Sequence, residues 1–221
     1  MSTVMLDRST VERLVRQALA RHLDGNGQVA APPRLVVNIS ARHCHVTQED
    51  LERLFGKGHQ LTPYKALYQD GFFAAEEAVT IIGPRHRMIP NLRILGPCRD
   101  HSQVELAFTD AISLGLDIPV RKSGDHRDSP GGYLLGPKGM IQLERGVIRH
   151  ERHVHMGHGD AAYYGVNDGD RLHLRVKSSC LMVLEDLLVR LAPASKLEVH
   201  LDTDEGNACD LPHATKVELF K

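Results

Sequence analysis

From Arg34 onward the apolar positions alternate with polar ones or run together over short stretches. "RLVVNIS", "EEAVTIIG", "NLRILG", "QVELAF", "DRLHLRVKS", "LLVRLA" and "KLEVHLDT" are bounded by Gly, Pro or Asp. Side chains at i and i+2 share a face of a strand, so each stretch predicts a short β-strand. Two segments depart from that period. "TQEDLERLFG" predicts a helix with Thr47 as N-cap and Gly56 as stop, and "DAISLGL" a second one after Asp110. Upstream, "STVERLVRQALARHL" sets Val11, Leu14, Val15, Ala18, Leu19 and Leu23 at helical spacing, with Ser9 and Glu12 as a capping box. "DGNGQVAAPP" behind it reads as a flexible tether. An amphipathic helix on that tether would either dock back on the body or serve as an address for a partner groove. Many short strands with few helices predict small β-barrels or sandwiches rather than an alternating βαβ sheet.

Composition narrows the function classes. Twenty-seven Lys+Arg balance 28 Asp+Glu, so no global field argues for nucleic acid or an anionic membrane, and any anion must be bound locally. No apolar run approaches the roughly 20 residues that span a bilayer. Cys44, Cys98, Cys180 and Cys209 show no CxxC spacing and follow no signal peptide, which favours reduced thiols in a cytoplasm over a disulfide framework. Histidine is the outlier: fourteen is more than packing needs, and some of them repeat.

"RHCH" stands at Arg42 to His45 and "RHVH" at Arg152 to His155, 110 positions later (153 − 43). In a strand, His43 and His45 present two imidazoles on one face, and His153 and His155 do the same. Neutral imidazole is the commonest protein metal donor, and such pairs suit a borderline metal such as zinc. A second parallel lies downstream, where "QVELAFTD" and "EVHLDTD" put Glu105 and His200 in matching slots; "RILGP" and "RLAP" match loosely ahead of them. An internal repeat of roughly 100 residues accounts for both, each copy giving HxH and one later strand residue to a metal. One set is then His43, His45 and Glu105, the other His153, His155 and His200. Three protein ligands leave positions open for water or substrate, as a catalytic metal requires.

Arg99 lies in the Gly-Pro loop "LGPCRDHSQVE", where its planar fork suits phosphate or carboxylate oxygens. The Gly-rich tract from Arg121 to Gly139 offers backbone amides to anions but lacks the GxxxxGKS spacing, and GxGxxG is absent, so no ordinary ATP or NAD site is implied. His59, His86, His126, His158, His173 and His213 have no matching partner and read as surface residues. Cys44 alternates away from the imidazole face and reads as packing.

Taken in order, "SARHCHV", "LGPCRDHSQVEL", "TDA", "PVRKSGD", "RHVHM", "GVNDGD" and "LEVHLDTDEGNA" resemble the PduL-type phosphotransacylases, or phosphate propanoyltransferases, of bacterial microcompartments. The likeness runs from about Leu35 to Leu211. It implies two β-barrels capped by short helices and interleaved in sequence, here 34–42 plus 151–221 and 43–150, behind a targeting helix and linker over 1–33. It implies reversible transfer of a propionyl or acetyl group between coenzyme A and inorganic phosphate, giving acyl phosphate, at a site with two divalent metals, usually zinc. His43, His45 and Glu105 match the ligands of one metal, and His153, His155 and His200 those of the other. Arg99 matches the phosphate-contacting arginine, and Ser123 a hydroxyl near the reacting groups. By the same likeness the protein works in the lumen of a cytoplasmic microcompartment, with shell or cargo proteins as partners of its N-terminal helix, and a homo-oligomer is compatible with it. A dinuclear zinc hydrolase and a non-enzymatic metal-binding scaffold of the shell are the rival classes the same residues allow.

Overall fold

The computed structural model describes Glu12 and residues 32–221. The helix and nearly all of the tether expected over residues 1–33 lie outside the described residues. In chain order the strands are β1 (Val36–Ile39), β2 (His43–His45), β3 (Pro63–Ala66), β4 (Phe73–Ile82), β5 (Met88–Gly96), β6 (Gln103–Glu105), β7 (Val120–Arg121) and β8 (Gly132–Leu135). They continue with β9 (Met140–Leu143), β10 (Val147–His150), β11 (His153–Met156), β12 (Arg171–Lys177), β13 (Met182–Leu191), β14 (Glu198–Leu201) and β15 (Lys216–Phe220). Short helices α1 (Gln48–Phe55), α2 (Phe108–Leu114), α3 (His158–Tyr164) and α4 (Thr203–Ala208) each follow a site-bearing strand.

The chain is mainly β and forms two curled sheets. One has the order β1-β14-β11-β13-β12-β15, the other β7-β10-β6-β2-β5-β4-β8-β9 with β3 against β4. The first strand of the smaller sheet is thus laid down before the whole larger sheet intervenes. The chain crosses between sheets from β1 to β2 and again from β10 to β11. Each sheet closes over its own apolar cluster: Leu51, Leu54, Ile81, Leu92, Ile94 and Leu134 belong to one, Met156, Leu172, Leu174, Leu187 and Leu201 to the other. Burying one such side chain contributes about 1.5–3 kcal/mol, so both sheets have a core of their own.

The register shows the duplication directly. β2 pairs antiparallel with β6 with His43 opposite Glu105, and β11 pairs antiparallel with β14 with His153 opposite His200. On its other side β6 pairs parallel with β10, Glu105 beside Ile148, as β14 pairs parallel with β1, His200 beside Asn38. The loose match of "RILGP" with "RLAP" needs correction: Arg93 lies opposite His43, whereas Arg190 lies opposite His155, two positions on. Similar letters around a proline had suggested a correspondence that pairing does not keep.

α1 forms as read, with the Thr47 hydroxyl accepting from the Asp50 amide at 3.0 Å and Leu51 and Leu54 turned inward. α3 and α4 were not anticipated, because seven and six residues are too few to show a helical period. α4 nevertheless carries a capping box, Asp202 with Glu205. It also packs closely, since a Cβ on Gly206 would come within 2.5 Å of the Ile39 side chain. The strand expected over "QVELAF" stops at Glu105, because Phe108 already begins α2. Among the described residues no helix is long and apolar enough to cross a membrane.

Candidate active site

The first triad stands at the start of β2. Cys44 is fully buried in the core beneath it, so strand alternation turns His43 and His45 together to the opposite face. Their rings meet edge to face with centroids 5.1 Å apart. His43 Nε2 lies 3.4 Å from Glu105 Oε2, and His45 Nε2 lies 3.9 Å from Glu105 Oε1. His43 Nδ1–H donates to the Ala41 carbonyl at 2.8 Å and His45 Nδ1–H to the Leu95 carbonyl at 3.2 Å. Those bonds fix the tautomer that leaves each Nε2 with a free lone pair. Burial pushes the His45 pKa down to about 3 and lowers that of His43, so both rings are neutral donors. Burial works to raise Glu105, but the rings of His43, His150 and His45 and the Ser123 hydroxyl outweigh it and keep it an ionised carboxylate.

The second triad repeats the arrangement on β11 and β14. His153 stacks on His200 with centroids 4.8 Å apart and an interplanar angle of 7°, and His155 meets both edge to face. His153 Nδ1–H donates to the Glu151 carbonyl at 2.8 Å, the counterpart of His43 on Ala41. Burial, then the neighbouring His200 and Arg190, lower the His155 pKa to about 4. Glu198 Oε2 lies 3.0 Å from His200 Nε2, yet that nitrogen has no aligned hydrogen-bond partner. In each triad one donor atom per residue falls within 4.8 Å of the other two. Two neutral imidazoles with a carboxylate, and three imidazoles, fit a borderline divalent metal such as zinc.

Arg99 and Ser123 are brought together beside the first triad. Arg99 Nη1 donates to Ser123 Oγ at 3.0 Å, and Ser123 Oγ in turn donates to Glu105 Oε1 at 2.7 Å. Gln103, which the sequence reading passed over, donates to Glu105 Oε1 at 2.6 Å and to Ser123 Oγ at 3.0 Å. Its own carbonyl oxygen accepts from the Gly124 amide and from His126 Nε2–H at 2.7 and 2.9 Å. The Ser123 proton is therefore committed to Glu105, and its oxygen already receives two donors.

Two further groups escaped the sequence reading. Arg190, opposite His155, is largely desolvated, and its charge acts on Glu105 of one triad as well as on His153 and His155 of the other. His150, at the end of β10, is 2% exposed, meets His153 at 5.6 Å between centroids, and acts on His43, Glu105 and His153. Both link the triads into one electrostatic unit. The repeat could not signal them, because positions 40 and 95 of the other copy hold Ser40 and Leu95. Three histidines read as surface residues are more engaged than that: His126 through Gln103, His59 through Glu77 at 2.8 Å, and His173, whose Nδ1 is buried. His86, His158 and His213 are exposed as expected.

The duplicated arginine has a structural task. Arg42 Nη1 reaches Asp110 at 2.9 Å and Arg152 Nε reaches Glu205 at 2.7 Å, so each arginine ties its strand to the helix of the same sheet.

A family model described as phosphate propanoyltransferase matches residues 36–212. A phosphate propanoyltransferase of Planctopirus limnophila is 59% identical over 225 residues, covering 98% of this chain and 92% of the relative. One from Thermotoga maritima is 48% identical over 81% of this chain and 85% of the relative. One from Salmonella typhimurium is 38% identical over 92% of this chain and 95% of the relative.

Proposed function

The chain belongs to the phosphate propanoyltransferase family, and from that premise we propose that it moves a propionyl or acetyl group reversibly between coenzyme A and inorganic phosphate, giving acyl phosphate. The observation that carries the reading is the pair of triads in one register, joined by Arg190 and His150, with Arg99 alongside. In this reading His43, His45 and Glu105 hold one divalent metal and His153, His155 and His200 a second, both zinc. Such ions would supply Lewis acidity to a thioester carbonyl, a departing soft thiolate and an oxyanion.

The protein's own groups do the positioning. Arg99 spends Nη1 on Ser123, and the rest of its guanidinium is available to phosphate oxygens. Arg190 supplies the second positive charge that offsets the anion as it approaches Glu105. Ser123 and Gln103 hold the Glu105 carboxylate in one orientation, so Ser123 acts through Glu105 rather than on the substrate. No side-chain nucleophile is required, because bound phosphate is itself anionic and needs to be held in line with the acyl carbon.

Release of coenzyme A from propionyl-CoA should require both phosphate and the metal, and should stop with chelator. Thioester cleavage that proceeds equally without phosphate would favour the hydrolase reading instead. Absence of any turnover in protein with bound metal would favour a scaffold. We further propose that residues 1–33 bind shell or cargo proteins of a microcompartment. Deleting the residues before about Val29 should leave transfer intact and release the protein from the compartment; retained localisation would refute the targeting role.

A further inference from the structure

His150 has no contact with substrate in the roles assigned above, yet it is the most deeply buried imidazole near both triads. Its Nδ1 is engaged by the Glu151 carbonyl at 3.3 Å, so Nε2 is the ring nitrogen left for a further partner. That atom is buried and has no hydrogen-bond partner among the described residues. A buried polar atom without a partner is unfavourable unless a ligand completes it. The fold does not demand the ring, because the equivalent position before the first HxH is Ser40. It stands at the junction of the two sites, edge-on to His153 and two residues along β10 from Ile148, the partner of Glu105 in the strand register.

We propose that His150 Nε2 accepts a hydrogen bond from the P–OH of hydrogenphosphate bound between the triads, and so selects and orients an oxyanion that still carries a proton. The inference rests on the phosphate acyltransferase reading and gives that site a discriminating contact. A lone-pair acceptor offers nothing to sulfate, which carries no proton at neutral pH. It offers nothing either to the dianion of an acyl phosphate, whose fourth oxygen is esterified. The bond is therefore made whenever hydrogenphosphate is bound, as substrate or as product, and not with acyl phosphate.

The test uses the full chain saturated with zinc, with His150→Ala and His150→Gln. Calorimetry would follow phosphate and sulfate binding, and steady-state kinetics would give KM for phosphate and for propionyl phosphate. The alanine variant should weaken phosphate about tenfold or more, the usual effect of one lost hydrogen bond to a charged group, and leave sulfate and propionyl phosphate unchanged. The glutamine variant, whose Oε1 can accept, should recover most of the loss. If the alanine variant does not fold, His150→Leu fills the volume without an acceptor and carries the same comparison. Equal weakening of phosphate and sulfate, loss of bound zinc, or unchanged phosphate binding would overturn the role of His150. A wild-type protein that releases coenzyme A without phosphate would instead overturn the reaction assigned above, whatever His150 does.

Discussion

Replacing Glu105 by glutamine tests the first triad most sharply, because shape is kept while charge and one lone pair are lost. Oε1 of Glu105 receives the Ser123 hydroxyl at 2.7 Å and Gln103 Nε2 at 2.6 Å. An amide in its place must keep its oxygen there, since its NH2 would face two donors. The NH2 then occupies the position of Oε2, 3.4 Å from His43 Nε2, and has no lone pair to give a metal. The lost charge matters as much: one unit charge acting over about 4 Å at an effective dielectric near 20 contributes about 4 kcal/mol, close to a thousandfold in affinity. Glu105→Gln should therefore lower zinc content from about two ions per chain to about one. Phosphate-dependent release of coenzyme A from propionyl-CoA should fall with it. Chelator competition reads the first quantity and thiol release the second. A variant that keeps both ions at wild-type affinity, with comparable turnover, would refute the assignment of Glu105 as a ligand.

Cys44→Ala should cost on the order of 1–2 kcal/mol in unfolding free energy, since the thiol is fully buried in the core, and leave transfer intact; loss of activity with zinc retained would give Cys44 a chemical role. Glu205→Gln should destabilise by about 2–3 kcal/mol in denaturant titration, because Arg149, 8% exposed, and Arg152 both lose a buried carboxylate while Arg149 keeps Asp202. Asp110→Asn, at the exposed Arg42 pair of the other sheet, should cost at most about 1 kcal/mol, and equal effects would refute the difference in burial. The metal-free protein should lose stability on acidification: His155 and His45 protonate near 4 and near 3 when folded but near 6.5 when unfolded, so the unfolded chain takes up protons first. Between pH 7 and pH 5 the loss should be about 1–2 kcal/mol per ring, and a flat profile over that window would contradict the neutral, buried rings.

The metal-ligand candidates were legible because their signal is local. An HxH pair needs only the period of a strand, and its recurrence after a second arginine needs no knowledge of packing. Glu105 and His200 were legible for the same reason, through matched flanking letters. What sequence could not show is any group recruited across the interleaved sheets. Gln103 sits two residues from Glu105 on the same strand face, but its task depends on Ser123 and His126 arriving from another loop. Arg190 and His150 break the repeat rather than follow it, so the comparison of copies that exposed the triads concealed them. β8 lies inside the Gly-rich tract, whose glycines point to anion-binding amides, β9 begins directly after it, and β7 is only two residues long.

Interleaving makes each sheet complete the other's site. His43 and His153 both follow a crossing between sheets, and the carbonyl that fixes each ring, from Ala41 or Glu151, belongs to the crossing itself. Glu198 of the smaller sheet is held by Asn38 of its own sheet at 2.6 Å and by Gln69, from the loop before β4 of the larger one, at 2.7 Å. Gln69 also bonds the backbone of Lys196 on both sides, through its amide and its carbonyl oxygen. In return Arg190 of the smaller sheet acts on Glu105, and His150 of the larger sheet abuts His153. A chain that folded the two copies as separate beads would keep both triads but lose these reciprocal contacts. The crossings therefore do more than connect: they bring two repeated three-residue sets to one junction, where the proposed transfer would hold a thioester and an oxyanion together.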